Sequence, residues 1–350
     1  MPPDSTVVFD DVRVLYRLTN ATITPTISLG PVKGTFTGCV YDSKGRIVRA
    51  SQRTKRNVWH TPTDPDMIQP HGQALPRVEG RSLYLGHYAS QYGHFLLETL
   101  ARLWVLQTDT AYDWIIFQPF DAVVHPIIPV SPKPHLFSPM KICCECFRID
   151  PDRIILVGGM TQTAHLTVPT ALFEINNRVE KPQALVYQQI GQYCEEAYHA
   201  QRIHIQRAMP LEQRTSSVRL YLSRRHSKKI RAPINEPEVE QVFSSLGFIV
   251  IYPEKMRFED LVRLFKQAEV IAGFEGSAMH NSVFMQKGGM AITIDSGTRH
   301  PSDPLRTNQR LCDHLSEVRS ERIGFYGTRA GQLQNIFDVP QLKWALKQLL

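Results

Sequence analysis

Three side chains that can carry out acid–base chemistry are spaced along one predicted helix. His94, Glu98 and Arg102 follow one another at intervals of four residues, so the helix predicted over 93–107 stacks them along one side. A carboxylate one turn from an imidazole raises its basicity and fixes its tautomer, and Arg102 would keep Glu98 ionised. A general base for a sugar or alcohol hydroxyl can be built in this way. An exposed, salt-bridged helix face explains the same spacing, so both interpretations stay open.

A basic segment follows the predicted strand that ends at Leu222. Six of the nine residues from 223 to 231 are basic or histidine. The carboxyl end of a strand faces the ligand crevice in open α/β sheets, and guanidinium groups bind phosphate through two hydrogen bonds. We therefore predict that Ser223, Arg224, Arg225 and Arg231 bind a phosphate-containing ligand. A solvated basic loop is the alternative, and a nucleic-acid patch is disfavoured because no aromatic residues are interleaved.

A turn containing glycine lies between a short apolar strand and a predicted helix. The strand breaks at Gly273 and Gly276, and the helix is predicted over 277–287 with Ser277 as its cap. The N-terminus of a helix offers free N–H groups and a partial positive charge, which attract anions. The pattern predicts a diphosphate site that includes Gly276, Ser277 and Ala278, although a plain structural turn fits it too. Glu254, after a neighbouring strand, could bind ribose hydroxyls or lie on the surface.

The remaining candidate motifs do not predict a metal site. The two Asp-Pro-Asp sequences at 64–66 and 150–152 place Pro and Asp as in ordinary type I turns. Cys143 and Cys146 have C-x-x-C spacing, but no second pair follows at the spacing of a zinc site, which favours buried or free thiols. A His–Glu metal pair at 94 and 98 has no third ligand nearby in the sequence. We expect no metal and no cofactor.

The second half of the chain predicts a parallel sheet. Continuously apolar strands are predicted over 217–222, 248–252, 270–273 and 290–295, and helices over 237–246, 258–268 and 277–287. Asn235 and Glu238 have the spacing of a capping box, and Gly247 suits a left-handed C-cap. This alternation is typical of a doubly wound α/β domain. The first half is β-rich to about residue 60 and then mixed α/β, and a long polar helix near 185–208 connects the halves.

Composition indicates a soluble protein of about two domains. The 350 residues are 42% hydrophobic and 21% charged, with a formal net charge of +7. This modest basic excess fits an anionic substrate or association with a membrane surface, and a solvated surface fits it equally. No apolar run reaches the roughly 18–20 residues of a transmembrane helix, and no signal peptide is readable at the N-terminus. We expect a cytoplasmic protein that does not bind nucleic acid.

Four motifs in the same order resemble glycosyltransferase family 61, in particular its bacterial members of the capsular polysaccharide type. The resemblance extends from about residue 80 to 295, and one difference is Glu275, where the family often has His. The motifs are Tyr92–Trp104, Ile149–Ile155, Leu220–Arg225 with Arg231 and 235–236, and Gly273–Asn281.

The resemblance implies a GT-B-like α/β fold, with two Rossmann-like domains facing a cleft and an extra β-rich N-terminal segment. We expect an acceptor-side domain over 1–205, a nucleotide-sugar domain over 206–335 and a C-terminal helix over 336–350 that packs back on the first domain. The resemblance also implies a reaction in polysaccharide biosynthesis. This reaction is the inverting, metal-independent transfer of a hexosyl or pentosyl group from a UDP-sugar to a glycan hydroxyl.

The resemblance also assigns roles to residues of this chain. His94, oriented by Glu98, would remove the acceptor proton. The expected donor-binding residues are Ser223, Arg224, Arg225, Arg231, Glu254, Glu275, Gly276, Ser277, Ala278 and Asn281. Since a carboxylate at Glu275 would repel a diphosphate, it is expected to point elsewhere, for example at ribose or sugar hydroxyls.

Two other classes of function remain open. A non-catalytic protein of the same fold would bind a nucleotide or glycan without transferring a sugar. An NAD-type oxidoreductase is disfavoured, because no predicted strand is followed by Gly-x-Gly-x-x-Gly.

Overall fold

The chain divides into two compact units, Met1–Val186 and Tyr187–Leu350. The computed structural model describes residues 13–26, 38–55, 58–59, 74–119, 130–131, 136–205, 218–226, 233–295, 305–324, 327–329 and 335–350. The division falls within a long helix, and the domain boundaries expected at 205 and 335 stay predictions. Arg231 and the Asp-Pro-Asp sequence at 64–66 lie outside the described residues.

The first unit is built on a mixed seven-stranded sheet with the order β2-β1-β9-β5-β6-β8-β7. Its centre, β9-β5-β6-β8, is parallel, whereas β1, β2 and β7 join the edges in antiparallel pairs. The strands β1 and β2 of the β-rich N-terminal segment are thus part of this sheet, whereas β3 and β4 form a separate two-stranded sheet. The elements are β1 Leu15–Ile23, β2 Val40–Tyr41, β3 Thr54–Lys55, β4 Val58–Trp59, β5 Arg77–Tyr88, α1 Tyr92–Leu97, β6 Trp114–Pro119, β7 Val130–Ser131, α2 Ser138–Cys146, β8 Ile154–Val157, β9 Thr161–Pro169, β10 Phe173–Glu174 and β11 Arg178–Val179, with 3-10 helices at Arg49–Ser51, Thr99–Gln107 and Pro151–Arg153.

The helix predicted over 93–107 is wrong in its second half. The α-helix α1 ends at Leu97, and the chain continues after Glu98 as a 3-10 helix over Thr99–Gln107. The N–H of Glu98 still donates to the carbonyl of His94 at 2.8 Å, so these two residues keep α-helical spacing. Beyond Glu98 the tighter 3-10 winding, with three residues per turn, takes Arg102 off the side shared by the first two.

The predicted turns and thiols of this unit agree with the structure. The carbonyl of Asp42 accepts a hydrogen bond from the N–H of Gly45 at 3.0 Å, which closes a hairpin turn in the β-rich N-terminal segment. The side chain of Asp150 accepts from the N–H of Asp152 and so caps a 3-10 turn. Cys143, Cys144 and the other cysteines are free thiols.

The second unit contains a fully parallel five-stranded sheet with the order β13-β12-β14-β15-β16. The predicted parallel sheet is therefore confirmed. Consecutive strands run outward in opposite directions from β12, so the topological switch point lies between β12 and β14. The elements are α3 Gln183–Ile205, β12 Val218–Leu222, α4 Glu236–Ser245, β13 Ile249–Ile251, α5 Phe258–Gln267, β14 Ala268–Phe274, β15 Met290–Ile294, α6 Leu305–Leu315, β16 Arg319–Ile323, β17 Gly327–Arg329, β18 Asn335–Phe337 and α7 Val339–Leu349, with 3-10 helices at Pro253–Lys255 and Met279–Phe284.

Helices α4 and α7 pack on one face of this sheet. Tyr221 of β12 stacks on Phe243 of α4 with ring centroids 4.0 Å apart. Leu342 and Leu346 of α7 are fully buried in the same core. The sequence suggested that the C-terminal helix packs back on the N-terminal domain, whereas these leucines belong to the core of the second unit. Gly247, at φ +80°, provides the predicted left-handed C-cap of α4.

Two predicted helix starts differ from the structure. The capping box of Asn235 does not form, because its side chain pairs with the backbone of Phe337 through bonds of 2.9 Å in each direction. The helix predicted over 277–287 is a six-residue 3-10 helix, Met279–Phe284, and Ser277 does not cap it. All six of its residues are buried. A helix this short offers few aligned peptide dipoles, which weakens the anion site expected at its N-terminus.

We predict that Gly86 of β5 is required for the position of Arg102. Gly86 has φ +86°, and an added Cβ would lie 2.2 Å from Nη1 of the buried Arg102. Gly45 has a similar φ of +73° with open space around it, so Gly45→Ala measures backbone strain alone, about 1–2 kcal/mol. Gly86→Ala should lower the free energy of unfolding by a further ~2 kcal/mol or more, because the guanidinium must leave its hydrogen bonds. The free energy of unfolding is measured by urea unfolding. An equal decrease in the two variants would show that Arg102 changes position without destabilising the protein.

Candidate functional site

The carboxylate of Glu98 is the centre of a buried ion pair in the first unit. Arg53 donates from Nε to one oxygen at 2.5 Å and from Nη2 to the other at 3.0 Å. Both residues are 7% exposed. Bidentate guanidinium–carboxylate geometry is strong and directional, so it fixes the orientation of the Glu98 side chain. Arg53 precedes β3, 45 residues from Glu98, and thus links the β-rich segment to α1.

His94 completes this arrangement from one turn earlier on α1. Its Nδ1 forms a hydrogen bond with Oε2 of Glu98, and its side chain is 35% exposed. An ionised carboxylate only accepts hydrogen bonds, so Nδ1 carries the hydrogen, and in the neutral imidazole Nε2 then carries the lone pair. The predicted pairing of His94 with Glu98 is therefore confirmed. An oriented imidazole with a basic Nε2 suits proton abstraction from a hydroxyl.

Glu98 stays ionised although it is buried. Burial alone would raise the pKa of this carboxyl, but the charge of Arg53 and the hydrogen bonds from His94 and Arg53 outweigh it. Together they hold the pKa of Glu98 well below its usual value of 4.5. The carboxylate is consequently available at neutral pH to stabilise positive charge that develops on the imidazole as it takes up a proton.

The predicted role of Arg102 is wrong. Its guanidinium donates to the carbonyls of Ala50 at 2.6 Å and Pro169 at 3.1 Å, and lies over the ring of Tyr84. The change to 3-10 winding after Glu98 accounts for this difference, because it turns Arg102 away from the carboxylate. Arg53 forms the ion pair that Arg102 was expected to form.

A cavity of about 210 Å³ opens beside Glu98. Its wall includes four arginines and two glutamates. These and the other lining residues are Tyr16, Arg49, Ala50, Gln52, Arg53, His87, Glu98, Arg102, Thr170, Ala171, Phe173, Glu174, Ile175 and Arg178. Glu98 therefore contacts the imidazole of His94 and also lines a space that could hold a small molecule.

In the second unit, two glutamates of α4 position the segment that follows β12. Oε1 of Glu236 accepts from the hydroxyl of Tyr221 and the N–H of Arg224, both at 2.9 Å. Glu240, one turn later, accepts from the hydroxyl of Ser223 at 2.7 Å and from Nη1 of Arg225 at 3.3 Å. Burial raises the pKa of Glu236. Ser223 is buried in this network, whereas the side chain of Arg225 is 49% exposed.

Arg224 joins the two strands at the switch point. Its guanidinium donates to the carbonyl of Phe274 at 3.2 Å and to that of Glu275. A Cβ on Gly276 would lie 2.3 Å from Nη2 of Arg224, so the close approach of this side chain requires glycine there. The structure gives Arg224 a role in holding the turn after β14, and its phosphate-binding role stays a prediction.

Glu275 forms an ion pair at the same end of the sheet. Its carboxylate lies 2.9 Å from Nη2 of Arg322, which is also 3.4 Å from Asp295. These residues end or follow the neighbouring strands β14, β15 and β16. The repulsion of a diphosphate that the sequence suggested for Glu275 is thus reduced, because Arg322 pairs with the carboxylate.

The other predicted donor-site residues lie near this edge with different exposures. Ser277 and Ala278 are half-buried in the turn, and Glu254 is exposed in the 3-10 turn after β13. Asn281 is fully buried and donates to the carbonyl of Ala278 at 2.9 Å. His280, a candidate for the imidazole that the family often has at 275, is buried and bonded to a glutamine of α6. The structure thus places Ser223, Arg224, Arg225, Glu254 and Glu275–Ala278 at the carboxyl ends of β12, β13 and β14.

Sequence reasoning missed the residues that hold these groups in place. Arg53 could not be predicted, because no short-range sequence pattern links it to Glu98, which is 45 residues away. Glu236 and Glu240 could have been found from their i, i+4 spacing on α4, just after the arginine segment. Arg322 lies near the end of β16, and the rule that carboxyl ends of parallel strands meet at one edge would have indicated it.

Within the described residues, no group of three or more His, Cys, Asp or Glu side chains is arranged to hold a metal ion. No helix in that part of the chain is long and apolar enough to cross a membrane.

The fold and these two clusters define an α/β protein with a candidate ligand site at the carboxyl ends of its parallel strands. The model of the family Glycosyltransferase 61 matches residues 92–292, which is more than half of the chain. This protein therefore belongs to glycosyltransferase family 61. A comparison with curated proteins found no match. The family supports glycosyltransferase activity and thus a sugar donor and an acceptor as substrates, and its range contains both the His94–Glu98 pair and the arginine segment.

We predict strong energetic coupling between Arg53 and Glu98. Arg53→Met should lower the free energy of unfolding by about 3–5 kcal/mol at pH 7, because it leaves a buried carboxylate without its bidentate partner. In the Glu98→Gln background the same change should cost at least ~1 kcal/mol less. The folded pKa of Glu98 lies below its usual 4.5, so the coupling should be complete well above that pH and decline as the pH falls through the folded pKa. Additive losses in the double-mutant cycle would contradict the pairing.

Proposed function

We propose that this protein is an inverting, metal-independent glycosyltransferase that moves a hexosyl or pentosyl group from a UDP-sugar to a hydroxyl of a glycan acceptor. The observation that carries the proposal is the His94 imidazole, oriented through Nδ1 by a buried, ionised Glu98. Such a pair supplies a general base whose other nitrogen faces away from the carboxylate. Membership of family 61 supports the reaction class.

The proposed reaction is a single displacement. Nε2 of His94 takes the proton of the acceptor hydroxyl, and the hydroxyl oxygen forms a bond to the anomeric carbon. The bond from that carbon to the diphosphate breaks on the opposite face, and the diphosphate leaves with the electron pair. Attack opposite the leaving group inverts the anomeric configuration. General-base help of this kind contributes about 10²–10⁴-fold to the rate.

The donor is proposed to bind at the switch point of the second unit. Arg225 is half exposed there, and Arg224 and the turn at Gly276–Ala278 adjoin it on β12 and β14. Guanidinium groups stabilise charge that develops on a leaving diphosphate, and this supports transfer without a metal. Glu254, at the end of β13, is proposed to bind ribose hydroxyls. The proposal includes donor-binding roles for Ser223, Arg231 and Asn281.

Two finer parts of the proposal rest on the resemblance alone. They are the GT-B class of fold with two Rossmann-like domains and a role in capsular or related polysaccharide biosynthesis. A cytoplasmic place of action at the inner face of a membrane is proposed from the composition of the chain. The formal net charge of +7 supports contact with anionic substrates or lipid headgroups.

We predict that UDP-sugars stabilise the protein and that Arg225 contributes to this effect. A ligand at 100 times its dissociation constant adds about 2.7 kcal/mol to the stability of the folded state, which a thermal-shift screen detects. Arg225→Gln should weaken donor binding about tenfold, since it removes a charged hydrogen-bond donor. Arg257→Gln is the matched control, because Arg257 is likewise an exposed arginine paired with carboxylates, but it lies just before α5. No shift with any UDP-, GDP- or CMP-sugar would contradict the proposal.

We predict that His94→Ala strongly slows transfer and leaves donor binding intact. The imidazole lies in the first unit and is proposed to act on the acceptor, so its loss should lower kcat about 10²-fold or more without changing the donor dissociation constant. His165→Ala is a suitable control, because His165 is an exposed histidine on β9 of the same unit. Full activity in His94→Ala would exclude the role of base. Donor binding without transfer by the unaltered protein, over a broad acceptor panel, would indicate a non-catalytic binding protein.

A further inference from the structure

The cavity beside Glu98 has a distinctive charge distribution. Arg53 pairs with Glu98, and Arg178 lies 3.2 Å from Glu174 and 2.9 Å from Glu180. Because these arginines face carboxylates, their charges are largely balanced.

Two further arginines of the wall form no ion pair within the described residues, although Glu174 and Glu98 act on Arg102 from a distance. Arg102 bonds to two backbone carbonyls, which carry no net charge. Arg49 is exposed, and within the described part of the chain its side chain forms no ion pair or hydrogen bond. Among the described residues, the four arginines of the wall face three carboxylates, those of Glu98 and Glu174 in the wall and that of Glu180 behind Arg178, which leaves an excess of one positive charge.

The size and walls of the cavity suit one sugar ring. Its volume of about 210 Å³ is below the roughly 300–1,000 Å³ of sites for drug-sized ligands, so it fits a group of about one monosaccharide. Tyr16 is 42% exposed and Phe173 is buried, and both line the space, which gives it aromatic surface beside its charges.

We propose that this cavity binds a carboxylate-bearing sugar residue of the acceptor glycan, with Arg49 as the cation that meets the carboxylate. A uronic acid carries one negative charge, which matches the excess of one positive charge, whereas a phosphate monoester carries nearly two. Guanidinium recognises a planar carboxylate through two parallel hydrogen bonds. The inference deepens the proposed function and rests on it for the assignment of the ligand as acceptor.

The position of the cavity supports this assignment. Glu98 lines it and also bonds to Nδ1 of His94, so the cavity and the proposed base share one carboxylate. An acidic sugar residue bound in the cavity would place the acceptor glycan next to His94, the proposed base. Preference for an acidic acceptor would then be determined by the first unit and be independent of the donor site.

The test compares two probes that differ only in the carboxylate, methyl glucuronoside and methyl glucoside. Ligand-observed NMR titration of the whole protein should give at least about tenfold tighter binding of the glucuronoside. Arg49→Gln should remove this preference. Arg46→Gln should keep it, because Arg46 lies in the neighbouring hairpin, pairs with Asp42 and is absent from the cavity wall. Both arginines are exposed surface residues, whose substitution changes stability by only about 0.5 kcal/mol.

Each outcome of the titration bears on the proposal. Equal binding of the two probes, or a preference that survives in Arg49→Gln, would overturn it. Tighter binding of glucose 6-phosphate than of the glucuronoside would overturn the carboxylate assignment. If a UDP-sugar raises the melting temperature but the glucuronoside is not preferred, the acidic-sugar site is contradicted and the proposed function is not. Glucuronoside preference without any nucleotide-sugar shift would leave an acidic-sugar site and contradict the proposed function.

Discussion

The buried ion pair between Arg53 and Glu98 is the constraint on which the first unit depends. Removing two charges from water is costly, and the pair is stable only because both carboxylate oxygens receive donors from Arg53 and His94. The pairing joins segments 45 residues apart. It also fixes the tautomer of His94, so the structural interaction and the proposed chemistry depend on the same carboxylate.

The second unit uses the same physical device at its sheet edge. Glu236 and Glu240 lie one turn apart on α4 and hold the backbone and side chains that follow β12. At the same end of the sheet, the guanidinium of Arg322 pairs with the carboxylate of Glu275 and orients it. In each case a charged side chain from a neighbouring element orients a residue that the sequence motifs predicted to be functional. The charged partner thereby determines whether that residue is available to bind a ligand.

Local patterns predicted the parts of the structure that local physics determines. Alternating apolar strands and short helices predicted the parallel sheet, and i, i+4 spacing predicted the His94–Glu98 pair. The change to a 3-10 helix after Glu98 was beyond such patterns, because residues 99–106 are buried and tertiary packing overrides helical periodicity. Arg53 was equally beyond them, since an ion pair between distant segments leaves no periodic trace. From the sequence, the charge of Glu275 seemed unfavourable for binding a diphosphate, because its ion pair with Arg322 could not be predicted.

The most direct test of the account is hydrogen–deuterium exchange of the whole protein with and without a UDP-sugar that shifts its melting temperature. The account predicts slower exchange of the backbone amides at 223–226 and 274–278, where β12 and β14 end on either side of the switch point. Peptides from β17 and β18, a separate two-stranded sheet, should not change. Protection confined to other segments, with unchanged exchange at 223–226 and 274–278, would contradict the donor site and with it the proposed glycosyltransferase mechanism.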